Sequence, residues 1–147
     1  HQAGLVHRDI KPSNVMLDST RGASRAVLTD FGIAKFSQAL TNITASAVLG
    51  TFDYIAPEQI EAAANVNGRA DIYSLGVMTY QLLTGVVPFS RLSTGAVLLA
   101  HMTAPPADPR ELTPALPRST AQAIQRAMAK TPNERFATAT EFVAALA

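Results

Sequence analysis

The stretch His7-Arg8-Asp9-Ile10-Lys11-Pro12-Ser13-Asn14, followed after a gap by Asp30-Phe31-Gly32, decides the reading of this chain. A lone aspartate such as Asp9 reads as a turn residue. Asp9 is not alone: Lys11, Asn14 and Asp30 follow it within a short span. Phosphoryl transfer from a nucleotide needs few groups. They are oxygen ligands for a metal, charge neutralisation, and a carboxylate to take the proton of the attacking hydroxyl. Asp9, Lys11, Asn14 and Asp30 offer that set from two neighbouring loops. Magnesium favours carboxylate and carbonyl oxygens, which suits Asp30 and Asn14.

The rest of the chain is an ordinary globular sequence of 147 residues, enough for one domain. Hydrophobic residues make up 48% and charged residues 16%, a balance for a packed core rather than a disordered tail. A net charge of +1 argues against nucleic acid or an anionic membrane as partner. The absence of cysteine excludes disulfides, thiolate metal sites and a cysteine nucleophile. No apolar run approaches the roughly 20 residues that span a bilayer, and no signal peptide is visible. His1 in place of a methionine predicts a fragment or a trimmed product.

Val15-Met16-Leu17 and Ala26-Val27-Leu28 are compact apolar runs separated by Ser19-Thr20-Arg21-Gly22-Ala23-Ser24, which predicts a β-hairpin. Residues 37–49 have no clear period and read as a loop. From about residue 57 the chain turns helical. The stretch Asp71 to Leu83 is apolar nearly all round, so it predicts a helix through the centre of a core. Gly85 is its stop and Pro88 blocks continuation. Asp71 itself reads as an N-cap. Helices are expected over 94–102, starting near Ser93 or Thr94, and over 119–130. Five prolines make 104–117 an extended surface connection. Thr138-x-x-Glu141 is a capping-box signature for a last helix carrying Phe142 and Leu146.

The motifs, taken together and in order, resemble those of a protein kinase. His7 to Asn14 is similar to the H-R-D-L-x-x-x-N catalytic loop, with Ile10 in place of Leu. Asp30-Phe31-Gly32 matches D-F-G, and Ala56-Pro57-Glu58 matches A-P-E. Lys11-Pro12 is the serine/threonine form of the loop. Ala56-Pro57-Glu58-Gln59 and Asp71-Ile72-Tyr73-Ser74-Leu75-Gly76 resemble the bacterial, Hanks-type kinases. The implied fold is mainly α within an α+β family. It is a kinase-like C-lobe, a helical bundle with a small β-hairpin at the catalytic loop, spanning 1–147 with the N-lobe absent.

The resemblance implies roles residue by residue. Asp9 would be the catalytic base, and Lys11 would contact the γ-phosphate of ATP. Asn14 and Asp30 would hold Mg2+ (or Mn2+), and Met16 would lie under the adenine ring. His7 and Phe31 would stack in the spine joining two lobes. Thr51 would bond the catalytic Asp and Lys. Arg8 would pair with a phosphorylated loop residue, Thr44 or Ser46, because a phosphate near −2 charge can pin a loop to a guanidinium. Glu58 would pair with Arg135, and Asp71 would hold the backbone of the catalytic loop. Ser13 and Gln81 stand where many kinases place acids for a substrate arginine, so a strict upstream arginine is not expected. Partners would be ATP, proteins phosphorylated on Ser or Thr, and a second copy for autophosphorylation. The expected location is cytoplasmic, with any membrane anchor outside this segment.

No G-x-G-x-x-G occurs in the chain, and only six residues precede His7, which leaves no room for a β3 lysine or its helix glutamate. The roof of the ATP site is therefore expected to be missing. Two alternatives stay open: a truncated, inactive lobe that serves as a scaffold, and a different phosphotransferase sharing the loop.

Overall fold

Pairing at the front of the molecule is local. In the computed structural model, which describes residues 5–19, 24–30, 52–61, 66–90 and 93–147, strand β1 (Val15–Asp18) pairs antiparallel with β2 (Arg25–Leu28). The register sets Val15 opposite Leu28 and Asp18 opposite Arg25, so each strand runs one residue beyond its apolar run. A two-stranded sheet is marginal by itself. Here Thr29 ties it to the preceding loop: its N–H and its hydroxyl both donate to the Asn14 carbonyl, at 2.8 and 3.2 Å. A 3₁₀ turn, Pro12–Asn14, carries the chain from the His7–Lys11 loop into β1.

The helical part is α1 (Pro57–Glu61), α2 (Arg69–Thr84), α3 (Thr94–Thr103), α4 (Pro109–Leu112), α5 (Arg118–Ala127) and α6 (Ala139–Ala145). Helix α2 is the central element, as its sequence predicts. Val77, Tyr73 and Tyr80 pack with Ala56, Phe89, Ile124 and Met128, while Ile72 packs with Ala127, Phe136 and Phe142. The expectation of burial on every face fails at the last turn, where Leu82 is 71% exposed. Sixteen helical residues span about 24 Å, and the last turn projects beyond the packed core. Gly85 ends the helix at φ 81°, its N–H bonding the Gln81 carbonyl at 2.8 Å. At Gly76 a Cβ would lie 2.9 Å from the Ala127 Cβ, so the missing side chain is what lets α2 and α5 approach.

Local signals explain the helix ends. Ser93 caps α3 as expected, accepting the Ala96 N–H at 3.4 Å. Thr138 accepts the Glu141 N–H at 3.1 Å, and Glu141 reaches back to the Ala137 N–H at 3.0 Å, a capping box displaced by one residue. Helix α5 starts at Arg118 and ends at Ala127, short of the expected 130. The extended connection expected over 104–117 contains α4: Asp108 accepts the Arg110 N–H at 2.9 Å and Pro109 fills the first position. Proline density hid a helix that proline itself helps to start.

A polar cluster lies inside this core. Lys130 donates to the carbonyls of His101 and Ala100 at 2.9 and 3.3 Å, at the end of α3, and to the Tyr73 hydroxyl at 3.4 Å. The Tyr73 hydroxyl also lies 2.9 Å from His101 Nδ1, a contact in which either atom can donate. His101 Nε2 is buried and meets no partner at ordinary hydrogen-bond geometry among the described residues. Burial, then the Lys130 charge, push His101 down to about 3, with the Asp53 backbone pulling the other way. Burial, then Arg135, push Lys130 down to about 8.

Candidate active site

The loop from His7 to Asn14 is held by its backbone before any side chain does chemistry. Asp71, in the first turn of α2, accepts the N–H of His7 on one carboxylate oxygen and that of Arg8 on the other, each at 2.8 Å. Gly68 occupies the N-cap, so Asp71 does not cap the helix; its carboxylate is spent on the loop. Burial pushes the Asp71 carboxyl up, against the two backbone N–H groups that pull it down.

Arg8 takes φ 66°, the left-handed region that a branched-off side chain rarely enters. Such backbone persists only where the surroundings over-determine it. They do so here. The Arg8 N–H goes to Asp71, the Arg8 carbonyl accepts Nε2 of Gln59 at 3.0 Å, and the next N–H, that of Asp9, donates to His7 Nδ1 at 3.3 Å. His7 Nε2 lies 3.0 Å from the Thr29 carbonyl. A carbonyl can only accept, so Nε2 carries the ring proton and Nδ1 accepts the Asp9 N–H.

This places the Asp9 carboxylate between two donors. Asn14 Nδ2 reaches Asp9 Oδ2 at 2.9 Å and the Asp9 carbonyl at 2.7 Å, and Lys11 Nζ lies 2.9 Å from Asp9 Oδ1. The Asn14 amide group is buried and turned by these bonds, so Oδ1 is the atom left to serve as a ligand. Asp30 follows Thr29, the residue that bonds the Asn14 carbonyl, and has φ 56°. Asp9, Lys11 and Asn14 are thus one constellation, and Asp30 stands one residue beyond the Thr29 tie to Asn14. Met16 is 62% exposed on the hairpin. Phe31, Thr44, Ser46 and Thr51 lie outside the described residues.

Farther back, Glu58 and Arg135 meet as the sequence predicts. The guanidinium donates to both Glu58 oxygens at 2.7 and 2.8 Å, and to the carbonyls of Arg69, Lys130 and Ala129 at 2.9, 2.9 and 2.7 Å. An arginine has five N–H donors, and all are used. Its charge sits 4.9 Å from the Tyr73 ring centroid. One buried group therefore joins α1, α2 and the turn after α5.

Gln59 is the residue that sequence reasoning missed. It served there only as a marker of family style. Buried at 2% exposure, it accepts the Ala56 N–H on Oε1 at 3.2 Å while Nε2 binds Arg8. The only available signal was a glutamine at the third position of a helix, a capping-box place. The segment it reaches, Phe52 to Ala56, is further fixed to α2 by Ser74 Oγ on the Tyr54 carbonyl at 2.7 Å and by the Tyr54 hydroxyl on Gln81 Oε1 at 2.6 Å.

Comparison with known proteins agrees with this geometry. Residues 1–145 match the protein kinase domain family. The chain belongs to that family. This protein kinase chain is 43% identical to the serine/threonine-protein kinase Pkn1 of Myxococcus xanthus over 99% of its length, covering 21% of that protein. It is 41% identical to the serine/threonine-protein kinase PknJ of Mycobacterium tuberculosis over 100% of its length, covering 25% of that protein. It is 36% identical to PrkC of Bacillus subtilis over 98% of its length, covering 22%. The chain therefore spans a fifth to a quarter of the relatives it matches.

No group of three or more His, Cys, Asp or Glu converges to hold a metal among the described residues. The oxygens present suit a hard cation that arrives with phosphate, which needs only one or two protein carboxylates. Among the described residues no helix is long and apolar enough to cross a membrane.

Proposed function

We propose that this chain is the C-terminal part of a catalytic domain that transfers the γ-phosphate of ATP to serine or threonine hydroxyls of proteins. The observation that carries the reading is the Asp9 carboxylate, held by Asn14 at 2.9 Å and Lys11 at 2.9 Å on a loop whose backbone is clamped from three sides. Asp9 would accept the proton of the substrate hydroxyl. Lys11, already beside it, would bring a positive charge to the transferred phosphoryl group. Asn14 Oδ1 and the Asp30 carboxylate are the oxygens suited to Mg2+ or Mn2+, which would neutralise phosphate charge when bound. Met16, exposed on β1, would meet the adenine ring.

Arg8 is the docking point proposed for a phosphorylated Thr44 or Ser46. The substrate would not be selected by an upstream arginine: Ser13 is not acidic, and the Gln81 oxygen already takes the Tyr54 hydroxyl. Protein partners, a second copy for autophosphorylation and a cytoplasmic site of action follow from the same reading. The intact constellation weighs against a pure scaffold, which needs none of these bonds.

The test is Asp9→Asn in the full reading frame that encodes this chain. Phosphotransfer to a protein substrate should fall ~10²–10⁴-fold with the thermal midpoint unchanged. Retained transfer sinks the assignment.

A further inference from the structure

Arg8 and Asp9 share a peptide plane, and that plane is gripped at both edges. The Arg8 carbonyl on one edge accepts from Gln59 Nε2 at 3.0 Å; the Asp9 N–H on the other donates to His7 Nδ1 at 3.3 Å. The plane before it is fixed by Asp71 through the Arg8 N–H at 2.8 Å. The φ and ψ of Arg8 relate these planes and set the direction in which the Asp9 side chain leaves the backbone. His7 lies in the same loop, and Asp71 reaches only the planes that precede Arg8. The contact on the Arg8 carbonyl comes from a different element, α1.

Gln59 also has a second task. Its own N–H donates to the Ala56 carbonyl at 3.0 Å while Oε1 takes the Ala56 N–H at 3.2 Å. The Gln59 side-chain bond is the second half of a capping box, with the Ala56 carbonyl standing in for the absent N-cap side chain. The two tasks fix the amide orientation independently: an N–H must meet the oxygen and a carbonyl must meet the NH₂. A helix cap alone needs only the oxygen. The NH₂ of this buried amide is spent on holding a strained residue.

The geometry points to Gln59 as a positioning residue: its amide makes the orientation of the Asp9 carboxylate depend on the place of the Phe52–Ala56 segment. Movement of that segment by substrate or by its own upstream chain would be relayed through one side chain to the peptide before Asp9. This inference rests on the kinase reading for its effect on catalysis, but the clamp itself does not.

Gln59→Glu separates the two tasks. A carboxylate at this helix position still accepts the Ala56 N–H and suits the helix N-terminus. It cannot donate to Arg8, and its second oxygen repels that carbonyl. In the full reading frame, kcat at pH 8 should fall ~10²-fold, the size of effect that a small misplacement produces, with KM for nucleotide and peptide little changed. As pH falls, the introduced carboxyl gains a proton and its O–H can donate where the amide did. The ratio of variant to parent kcat should therefore rise toward acid.

Equal kcat at pH 8, or a loss that does not recover toward acid, overturns the proposal. A crystal structure of the Gln59→Glu protein at pH 8 gives a readout without activity: Arg8 should leave φ near 66°, its value in the parent. An unchanged Arg8–Asp9 peptide plane also overturns it. If the parent shows no phosphotransfer, the kinase reading fails by itself and the Arg8 conformation alone decides the clamp.

Discussion

The two sides of α2 do opposite things. Behind it, around Arg135, every donor of a buried cation meets an acceptor, and Ile72, Val77, Ile124 and Phe142 fill the space at 1% exposure or less. In front of it, Arg8 and Asp30 hold left-handed backbone, and Met16, Leu17 and Leu28 lie open on a two-stranded sheet. The back supplies stability and the front holds strain. They are not independent, because α2 serves both. Asp71 faces the loop, while two residues earlier the Arg69 carbonyl takes Arg135. The lesson is that backbone strain at a site is sustained by a well-satisfied core one helical turn away.

The largest break should come at the back. Removing one partner of a buried, hydrogen-bonded ion pair costs ~3–5 kcal/mol, because the other charge is left uncompensated. Glu58→Ala and Arg135→Ala should each lower stability by that amount in chemical denaturation. Arg135→Ala should be the worse, since it also strands three carbonyls. Unchanged midpoints for both would mean that the hub is not what sustains the front.

A second break is acid. His101 faces Tyr73 and Phe89, with Lys130 beyond and the Asp53 backbone nearby. Its folded value of about 3 lies below the ordinary 6.5. The unfolded chain therefore binds a proton that the folded one refuses as pH falls through this window. The stability from neutral His101 is whole above pH 6.5 and is lost progressively toward pH 3. The slope is about 1.4 kcal/mol per pH unit, or about 2 kcal/mol by pH 5. Asp71, pushed up by burial, acts with the opposite sign. The comparison is therefore parent against His101→Asn: the variant should lose the pH 5 to 6.5 slope. Equal slopes would show that His101 takes up its proton without cost.

Much of this was legible in the sequence, and the failures have causes. The hairpin, α2, the caps at Ser93 and Thr138, the Gly85 stop and the Glu58–Arg135 pair all follow from local patterns or from motif resemblance. Helix α4 was hidden because its proline was counted as a breaker and not as a first-position residue. Local pattern reads Asp71 only as an N-cap, because nothing local shows that a loop some sixty residues earlier will claim its carboxylate; the motif resemblance alone gave it that task. Gln59 was invisible for the same reason. Its partner Arg8 is distant in sequence, and the bond goes to a carbonyl, which every residue has. Side chains that act on backbone carry no complementary partner type to search for.

The smallest effect sharpens the contrast from the front. Leu17 is 74% exposed on β1, so it has little apolar surface to lose. Leu17→Ala should change stability by no more than ~0.5 kcal/mol, the usual range for surface sites. A leucine deleted from a packed core costs ~2–5 kcal/mol. The same chemical change therefore has a different meaning on the two sides of α2. If denaturation of Leu17→Ala shows a core-sized loss, the exposed face of the hairpin is covered in solution and the front is not the open region described here. If the loss is small, the apolar face is held in place by the loop bonds from Thr29 to Asn14 rather than by its own burial.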